Sequence, residues 1–254
     1  MRRGRAPGQG PELEWGVLCA LDMEAAPVVK LLAQRRKTIA DRFWLVEGTL
    51  LGRGVAVVRC GTRRRDLLAA ADALLTVHQV RWVVAAGFAI GLRENTRAGD
   101  VVIGNELWDG TGAPLTVDVR LAPNKTAASR ETVHVGRLLS VARWPRLVGD
   151  KQGLCTQSKA LAADLHSYPL ARDCADKGVQ FLAVRILVED ASCFTGPESL
   201  AVYHPSASFR AGGVMGALLR GSGQAGRIWK IRAAAQGYSR RLAEVLRDIL
   251  PRLE

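Results

Sequence analysis

The chain of 254 residues carries 36 lysines and arginines against 24 aspartates and glutamates, a formal net charge of +12. Hydrophobic residues make up 48% of it and aromatic residues 6%, which excludes a wholly disordered chain and suits helices packed on a parallel sheet. The charge would attract nucleic acid, anionic lipid or phosphate groups, although an arginine-rich surface without any such role explains it equally well. No helix-turn-helix, zinc-finger or RNP pattern supports specific nucleic-acid binding.

The five cysteines lie far apart and form no C-x-x-C pair; they are Cys19, Cys60, Cys155, Cys174 and Cys193. This spacing excludes a zinc finger or a dense disulfide framework and favours a reducing cytoplasm. No apolar run reaches the roughly 20 residues of a membrane-spanning helix, and residues 1–14 lack the apolar middle of a signal peptide. We therefore expect a cytoplasmic protein with a flexible basic tail at 1–14 and a single domain at 15–254.

Apolar runs that predict buried strands alternate with helical patterns along the chain. The strands are predicted at Gly16–Leu21, Gly54–Cys60, Trp82–Ala86, Asp100–Asn105, Leu161–Leu165 and Phe181–Val188. The helices are predicted at Ala25–Gln34, Asp66–Val77, Pro169–Lys177 and from Arg227 onward. Trp44–Leu51 reads as a hairpin that leads into the second strand, and Asp109–Arg130 as a long irregular connection. The alternation predicts an α/β fold with a mostly parallel or mixed central sheet flanked by helices.

The predicted C-terminal helix has one apolar stripe, formed by Ile228, Ile231, Ala235, Tyr238, Leu242, Val245 and Ile249. Arginines and lysines occupy much of the remaining surface. Such a stripe is typical of a helix that packs on a sheet, which we favour here. A basic amphipathic helix lying on an anionic membrane is the alternative.

Candidate functional side chains follow the predicted strands at their carboxyl ends, where open α/β sheets bind ligands. Glu24 stands in the first helical turn after the first strand, although a carboxylate there also simply favours the helix dipole. His166 precedes a predicted helix, and Glu189 ends the last predicted strand. A lone histidine is more often a structural residue than a functional one.

Two glycine-containing segments follow other strands. Gly87-Phe88-Ala89 could let the backbone approach a ligand closely, or could be turn chemistry alone. Gly61 with Arg63 and Arg64 could form an anion-binding cradle at a helix start, although a run of arginines is more often solvated surface.

The order of these motifs resembles the nucleoside phosphorylase/nucleosidase superfamily. Within it, the chain is most similar to methylthioadenosine/adenosylhomocysteine nucleosidases and hopanoid-associated phosphorylase-like proteins. The resemblance is carried by Gly16–Glu24, Gly87–Leu92, Ala98–Val102, Ala163–Ala171 and Phe181–Asp190, and for the hopanoid branch by Phe209–Arg220 and the basic terminal helix. It implies a three-layer, nucleoside phosphorylase-like fold.

The resemblance implies hydrolysis of the N-glycosidic bond of a 5′-substituted adenosine, with release of adenine. Glu24 matches the family glutamate that activates water, and Glu189 takes the place of the aspartate that protonates the purine. Leu165 and His166 align with a Met-Glu pair whose glutamate binds the ribose hydroxyls. Gly87, Phe88 and Ala89 would line the base and sugar pocket. We expect no metal, because no histidine, cysteine or carboxylate cluster has ligand spacing, and no cofactor. The resemblance implies a homodimer.

Two departures leave other functions open. His166 replaces a carboxylate, and Glu189 is one methylene longer than the aspartate, which could displace the proton donor by about an ångström. There are three alternatives. The chain could be a phosphorylase that uses the arginines at 63–65, a catalytically impaired nucleoside-binding homologue, or a basic membrane- or nucleic-acid-binding protein on the same fold. In the hopanoid branch the substrate would be lipid-linked, and Gly212–Leu219 with the terminal helix would contact the inner membrane peripherally.

Overall fold

The computed structural model describes residues 13–40, 43–118, 132–203 and 222–253. Most of the predicted basic tail lies outside these ranges, and its last two residues, Leu13 and Glu14, belong to the first strand. The segments Phe209–Arg220 and Gly212–Leu219, and the predicted irregular connection after residue 118, also lie outside the described residues.

The described residues form strands and helices that alternate along most of the chain. The strands are β1 (Leu13–Cys19), β2 (Ala33–Ile39), β3 (Trp44–Leu50), β4 (Arg53–Arg59), β5 (Val80–Gly91), β6 (Val101–Trp108), β7 (Leu115–Thr116), β8 (Val133–Ser140), β9 (Ala162–Asp164) and β10 (Gln180–Glu189). The helices are α1 (Asp22–Lys30), α2 (Arg64–Val77), α3 (Val148–Ser158), α4 (Ser167–Asp176), α5 (Pro197–Tyr203) and α6 (Ser222–Ile249), followed by a short 3-10 turn at Leu250–Arg252.

The strands pair into one mixed sheet in the order β10-β6-β8-β9-β5-β1-β4-β3-β2. β5 and β10 pair in parallel as well, so β5, β10, β6, β8 and β9 close on themselves while the remaining strands of that order extend outward from β5. β1 lies parallel to both β4 and β5, whereas β3 pairs antiparallel with β4, as the predicted hairpin requires. The α/β class with a mixed central sheet flanked by helices is confirmed.

Strand β5 is the centre of the sheet and runs further than its sequence suggested. It continues through Gly87, Phe88 and Ala89, which the sequence assigned to a segment beyond the strand end. The reason is tertiary, since β10 pairs with β5 through Gly87, Phe88 and Ala89, and β9 pairs with the end of β5 just beyond them. A Cβ at Gly87 would lie 2.6 Å from Glu24 Oε1, so this glycine leaves room for a neighbouring side chain rather than forming a turn.

Other elements differ from prediction because their sequences carry no clear apolar period. The first helix ends at Lys30, and the chain then forms β2, whose residues are all exposed. α3 was not predicted, since Gly149 and Gly153 and its polar residues hide the helical pattern.

The apolar stripe of α6 packs into the core, as predicted. Ala235, Leu242 and Ile249 are buried in the same cluster as Val28 of α1 and Val184 of β10. Within the ranges that the structure describes, no helix is long and apolar enough to cross a membrane.

We expect the Leu246→Ala substitution to lower the free energy of unfolding by about 2–5 kcal/mol, because Leu246 is fully buried in the α6 interface. Arg240→Ala, on the exposed face of the same helix, is the matched control and should change it little. Urea unfolding measures both. Equal effects of the two substitutions would contradict the packing of α6 on the core.

Candidate functional site

Glu24 is the buried carboxylate around which the site is built. It stands in the first turn of α1 and is 3% exposed. Its Oε2 accepts the backbone N–H of Leu21 at 2.8 Å, and its Oε1 accepts that of Phe88 at 2.8 Å. The first bond caps α1 and the second joins the helix to β5, so the carboxylate has one orientation.

Burial raises the pKa of the Glu24 carboxyl above its ordinary value of 4.5, although the N–H donors and the Arg185 guanidinium oppose the shift. The ionised form is therefore a stronger base than an exposed carboxylate. Because the folded-state pKa is the higher one, ionising Glu24 weakens folding. The protonated Glu24 carboxyl therefore contributes to stability at low pH, and this contribution is lost as the pH rises through the folded-state pKa.

Arg185 is the second buried charge, and it lies beside Glu24. Its Nε is 2.8 Å from Asp164 Oδ2, and its Nε and Nη2 donate to Ser167 Oγ at 3.1 and 3.0 Å. Ser140 Oγ donates to Asp164 Oδ1 at 2.7 Å. A Cβ added at Gly87 would meet both Glu24 Oε1 and Arg185 Nη1, at 2.6 and 2.9 Å, so the two side chains converge over this glycine.

Arg185 and its partners were not predicted from the sequence as site residues. One signal was available, since Arg185 is the single charged residue inside the apolar run Phe181–Val188. A charge in a buried strand needs partners, and here Asp164 and Ser167 supply them from β9 and the start of α4. These contacts join segments that are about twenty residues apart in sequence.

A small hollow lies between Glu24 and Arg185. It has a volume of about 20 Å³, and its lining consists of Ala20, Glu24, Thr62, Phe88, Trp144, Leu165, His166, Arg185 and Tyr203. Three of these are aromatic, and the rings of Phe88 and Tyr203 meet edge to face at 5.6 Å. The volume suits about one water molecule, so the side chains that line the hollow must move to admit anything larger.

Most of the predicted strand-end residues converge on this hollow. Glu24, Phe88, Leu165 and His166 line it, whereas Ala89 is buried in the sheet and is not part of the lining. His166 Nε2 lies 3.1 Å from the Thr62 carbonyl oxygen. A carbonyl can only accept, so Nε2 carries the hydrogen.

The residues predicted to bind an anion lie at the start of α2, outside the lining. Arg63 and Arg64 are exposed, and Gly61 is half-buried. Thr62, between Gly61 and Arg63, contributes to the hollow instead. Within the described part of the chain, no group of three histidine, cysteine, aspartate or glutamate side chains is arranged to hold a metal ion.

Glu189 is not part of the lining of the hollow. The pairing of β10 with β5 shifts register between Leu187 and Glu189, a bulge that re-aims the last side chain. Glu189 Oε2 accepts the Thr195 hydroxyl and faces Lys151 Nζ at 3.8 Å. The pKa of the Tyr203 phenol is raised mainly by burial and secondly by the charge of Glu189. Glu189 therefore interacts electrostatically with a residue that does line the hollow.

Comparison with known proteins supports a family assignment. A family model described as the phosphorylase superfamily matches residues 14–200. No curated protein sequence matches the chain significantly.

Solved structures share the fold at low identity. A 5′-methylthioadenosine/S-adenosylhomocysteine nucleosidase from S. pneumoniae, bound to a transition-state inhibitor, has a TM-score of 0.70 and 15% identity, covering 94% of this chain and 99% of that chain. The Neisseria meningitidis nucleosidase of the same kind, with methylthio-immucillin-A, has a TM-score of 0.67 and 15% identity, covering 92% and 99%. A putative methylthioadenosine nucleosidase from Weissella paramesenteroides has a TM-score of 0.62 and 17% identity, covering 91% and 98%.

Asp164→Asn should lower the free energy of unfolding by about 3–5 kcal/mol, because it removes the carboxylate that pairs with the buried Arg185 guanidinium at 2.8 Å. Chemical denaturation monitored by circular dichroism measures the loss. Asp176→Asn is the control, since Asp176 pairs with Arg172 on the surface, and its stability should stay near that of the unmodified protein. Similar stabilities for the two variants would contradict a structural role for the buried ion pair.

Proposed function

Because the chain belongs to the phosphorylase superfamily, we propose that it hydrolyses the N-glycosidic bond of a 5′-substituted adenosine and releases adenine. The observation that carries the proposal is Glu24, a buried carboxylate with a raised pKa in the wall of a hollow of one water's size. The nucleosidases of similar fold act on 5′-methylthioadenosine and S-adenosylhomocysteine, as their names state.

The mechanism begins with the water that this hollow can hold. Glu24 takes a proton from the water, and the oxygen of the water attacks C1′ of the ribose. The C1′–N9 bond breaks through a transition state of oxocarbenium character, and its electron pair moves onto the purine. Glu189 gives its proton to a ring nitrogen of the departing base, so adenine leaves neutral. Arg185 stabilises the ionised form of Glu24.

Binding a nucleoside requires the hollow to open. A purine riboside needs far more than about 20 Å³, so the lining must open, and we propose that Trp144 or Tyr203 moves. Both are aromatic and can then cover the faces of the base or the sugar. We place the base and sugar along Gly87, Phe88 and Leu165, with Ala89 behind them.

His166 is the proposed contact to the ribose, together with Leu165. A neutral imidazole has one donor and one acceptor nitrogen, where a carboxylate has two acceptor oxygens. Sugar binding by His166 should therefore be weaker, or more selective for one hydroxyl, than binding by a glutamate.

Hydrolysis is favoured over phosphorolysis because the lining holds the buried carboxylate of Glu24, and the buried Arg185 there is already paired with Asp164. Arg63 and Arg64 are exposed and lie outside the lining. A lipid-linked substrate, a peripheral membrane contact and a homodimer stay predictions from the family resemblance. Phe209–Arg220, which suggested the lipid, lies outside the described residues. The proposed substrate class accordingly stops at 5′-substituted adenosines.

Glu24→Gln should lower adenine release by about 100-fold or more, because the amide cannot accept the proton of water. Chromatography of adenine released from 5′-methylthioadenosine and from S-adenosylhomocysteine measures it, with and without added phosphate. Asp22→Asn, which changes an exposed carboxylate in the same helical turn, is the control and should leave the rate unaltered.

Three outcomes would contradict the proposal. They are full activity of the Glu24→Gln variant, turnover that requires phosphate, and tight nucleoside binding by the unmodified protein without any release of base. The second would favour a phosphorylase and the third a nucleoside-binding homologue.

The pH dependence of kcat/KM should show the raised pKa of Glu24. Only the ionised carboxylate accepts a proton, so activity should fall as the pH drops through a value above 4.5. Initial rates measured from about pH 4 to about pH 9 at constant ionic strength test this expectation. An acid limb centred at or below 4.5 would contradict the role of burial.

A further inference from the structure

Lys151 is a fully buried lysine that the proposed chemistry has not used. It is 0% exposed and stands in the first turns of α3. Its ammonium donates to the carbonyl oxygens of Asp190 and Cys193 at 3.0 and 2.6 Å and lies 3.8 Å from Glu189 Oε2. Lysines are almost never fully buried unless they are paired, so these three oxygens account for its position.

Thr195 holds the same carboxylate from another direction. It is 0% exposed, and its hydroxyl donates to Glu189 Oε2. Its backbone N–H donates to the Arg146 carbonyl at 2.9 Å, in the loop before α3. The Arg146 guanidinium returns a bond to the Thr195 carbonyl at 3.3 Å. The position of the Thr195 backbone is thus held by Arg146, independently of the contact between its hydroxyl and Glu189.

Both contacts fall on one oxygen of Glu189. Among the residues that the structure describes, Thr195 holds Oε2 and Lys151 faces it, which leaves Oε1 for proton transfer. A glutamate has one more side-chain torsion than an aspartate, and two anchors on one oxygen restrict that freedom. The ammonium also stabilises the carboxylate that remains once the proton has left.

We propose that Lys151 and Thr195 are positioning residues that hold the Glu189 carboxyl with its free oxygen toward the leaving purine. This inference rests on the proposed function. In the step they assist, the O–H bond of Glu189 breaks, an N–H bond forms on the purine, and the C1′–N9 electron pair stays with the base. The carboxylate so formed is paired with Lys151.

A purely structural role is the competing explanation, since Lys151 also joins α3 to the turn after β10 through two carbonyl groups. The two roles differ in their dependence on the leaving group. A purine methylated at N7 already carries positive charge and departs without a proton. A defect in proton donation should therefore disappear with such a substrate, whereas a defect in folding should not.

The test compares Thr195→Val, which keeps the shape and removes the hydroxyl, with Thr195→Ser, which keeps the hydroxyl. On 5′-methylthioadenosine, we expect Thr195→Val to lower kcat about 10-fold or more at unchanged KM, and Thr195→Ser to recover most of it. On the N7-methylated analogue, the Thr195→Val defect should shrink to about 2-fold or less. Lys151→Met should show the same substrate dependence, provided that its melting temperature confirms folding.

Each outcome bears on the proposal. A Thr195→Val variant as active as the unmodified protein, or one equally impaired on both substrates, would overturn the positioning role while leaving the nucleosidase proposal intact. Failure of the unmodified protein to release base from either substrate would instead overturn the proposed function, and the positioning role with it.

Discussion

The burial of one ionisable carboxylate, that of Glu24, is the constraint on which the rest of the site depends. Its two oxygens accept backbone N–H groups from its own helix cap and from β5, so the carboxylate is oriented by main chain rather than by mobile side chains. Glu24 and Arg185 can lie this close only because position 87 is a glycine, since a Cβ there would collide with both side chains. Burying an ionised carboxylate costs free energy of folding. The N–H donors and Arg185 offset part of that cost, but the pKa of Glu24 stays above its ordinary value.

The parallel pairing of β5 with β10 brings the two charged centres together. Arg185 lies opposite Gly87 in that register, which places its guanidinium beside the Glu24 carboxylate. The same strand then bulges before Glu189, so this second carboxylate leaves the direction that regular alternation would give it and meets Lys151 and Thr195. One strand therefore supplies both an ion-paired arginine that lines the hollow and an anchored carboxyl outside the lining.

Much of the site could be predicted because its residues stand at recognisable strand and helix boundaries. Glu24 and His166 follow apolar runs and begin helices, and the structure places both in the wall of one hollow. Arg63 and Arg64 were candidates because they follow a glycine at a helix start, and they are exposed. Lys151 could not have been found, since it lies in a helix with no clear apolar period and its partners come from residues 189–193.

The sequence by itself determined the α/β class, the hairpin of β3 and β4, the packed stripe of α6 and the identity of the first carboxylate, because local periodicity and strand-end position carry that information. Only the tertiary structure decided that β5 continues through Gly87, that five strands close on themselves, and that Asp164 and Ser167 partner Arg185. Those outcomes depend on register and on contacts between segments distant in the chain. A one-residue shift in register would turn each side chain to the opposite face of the sheet, and no local pattern encodes that choice.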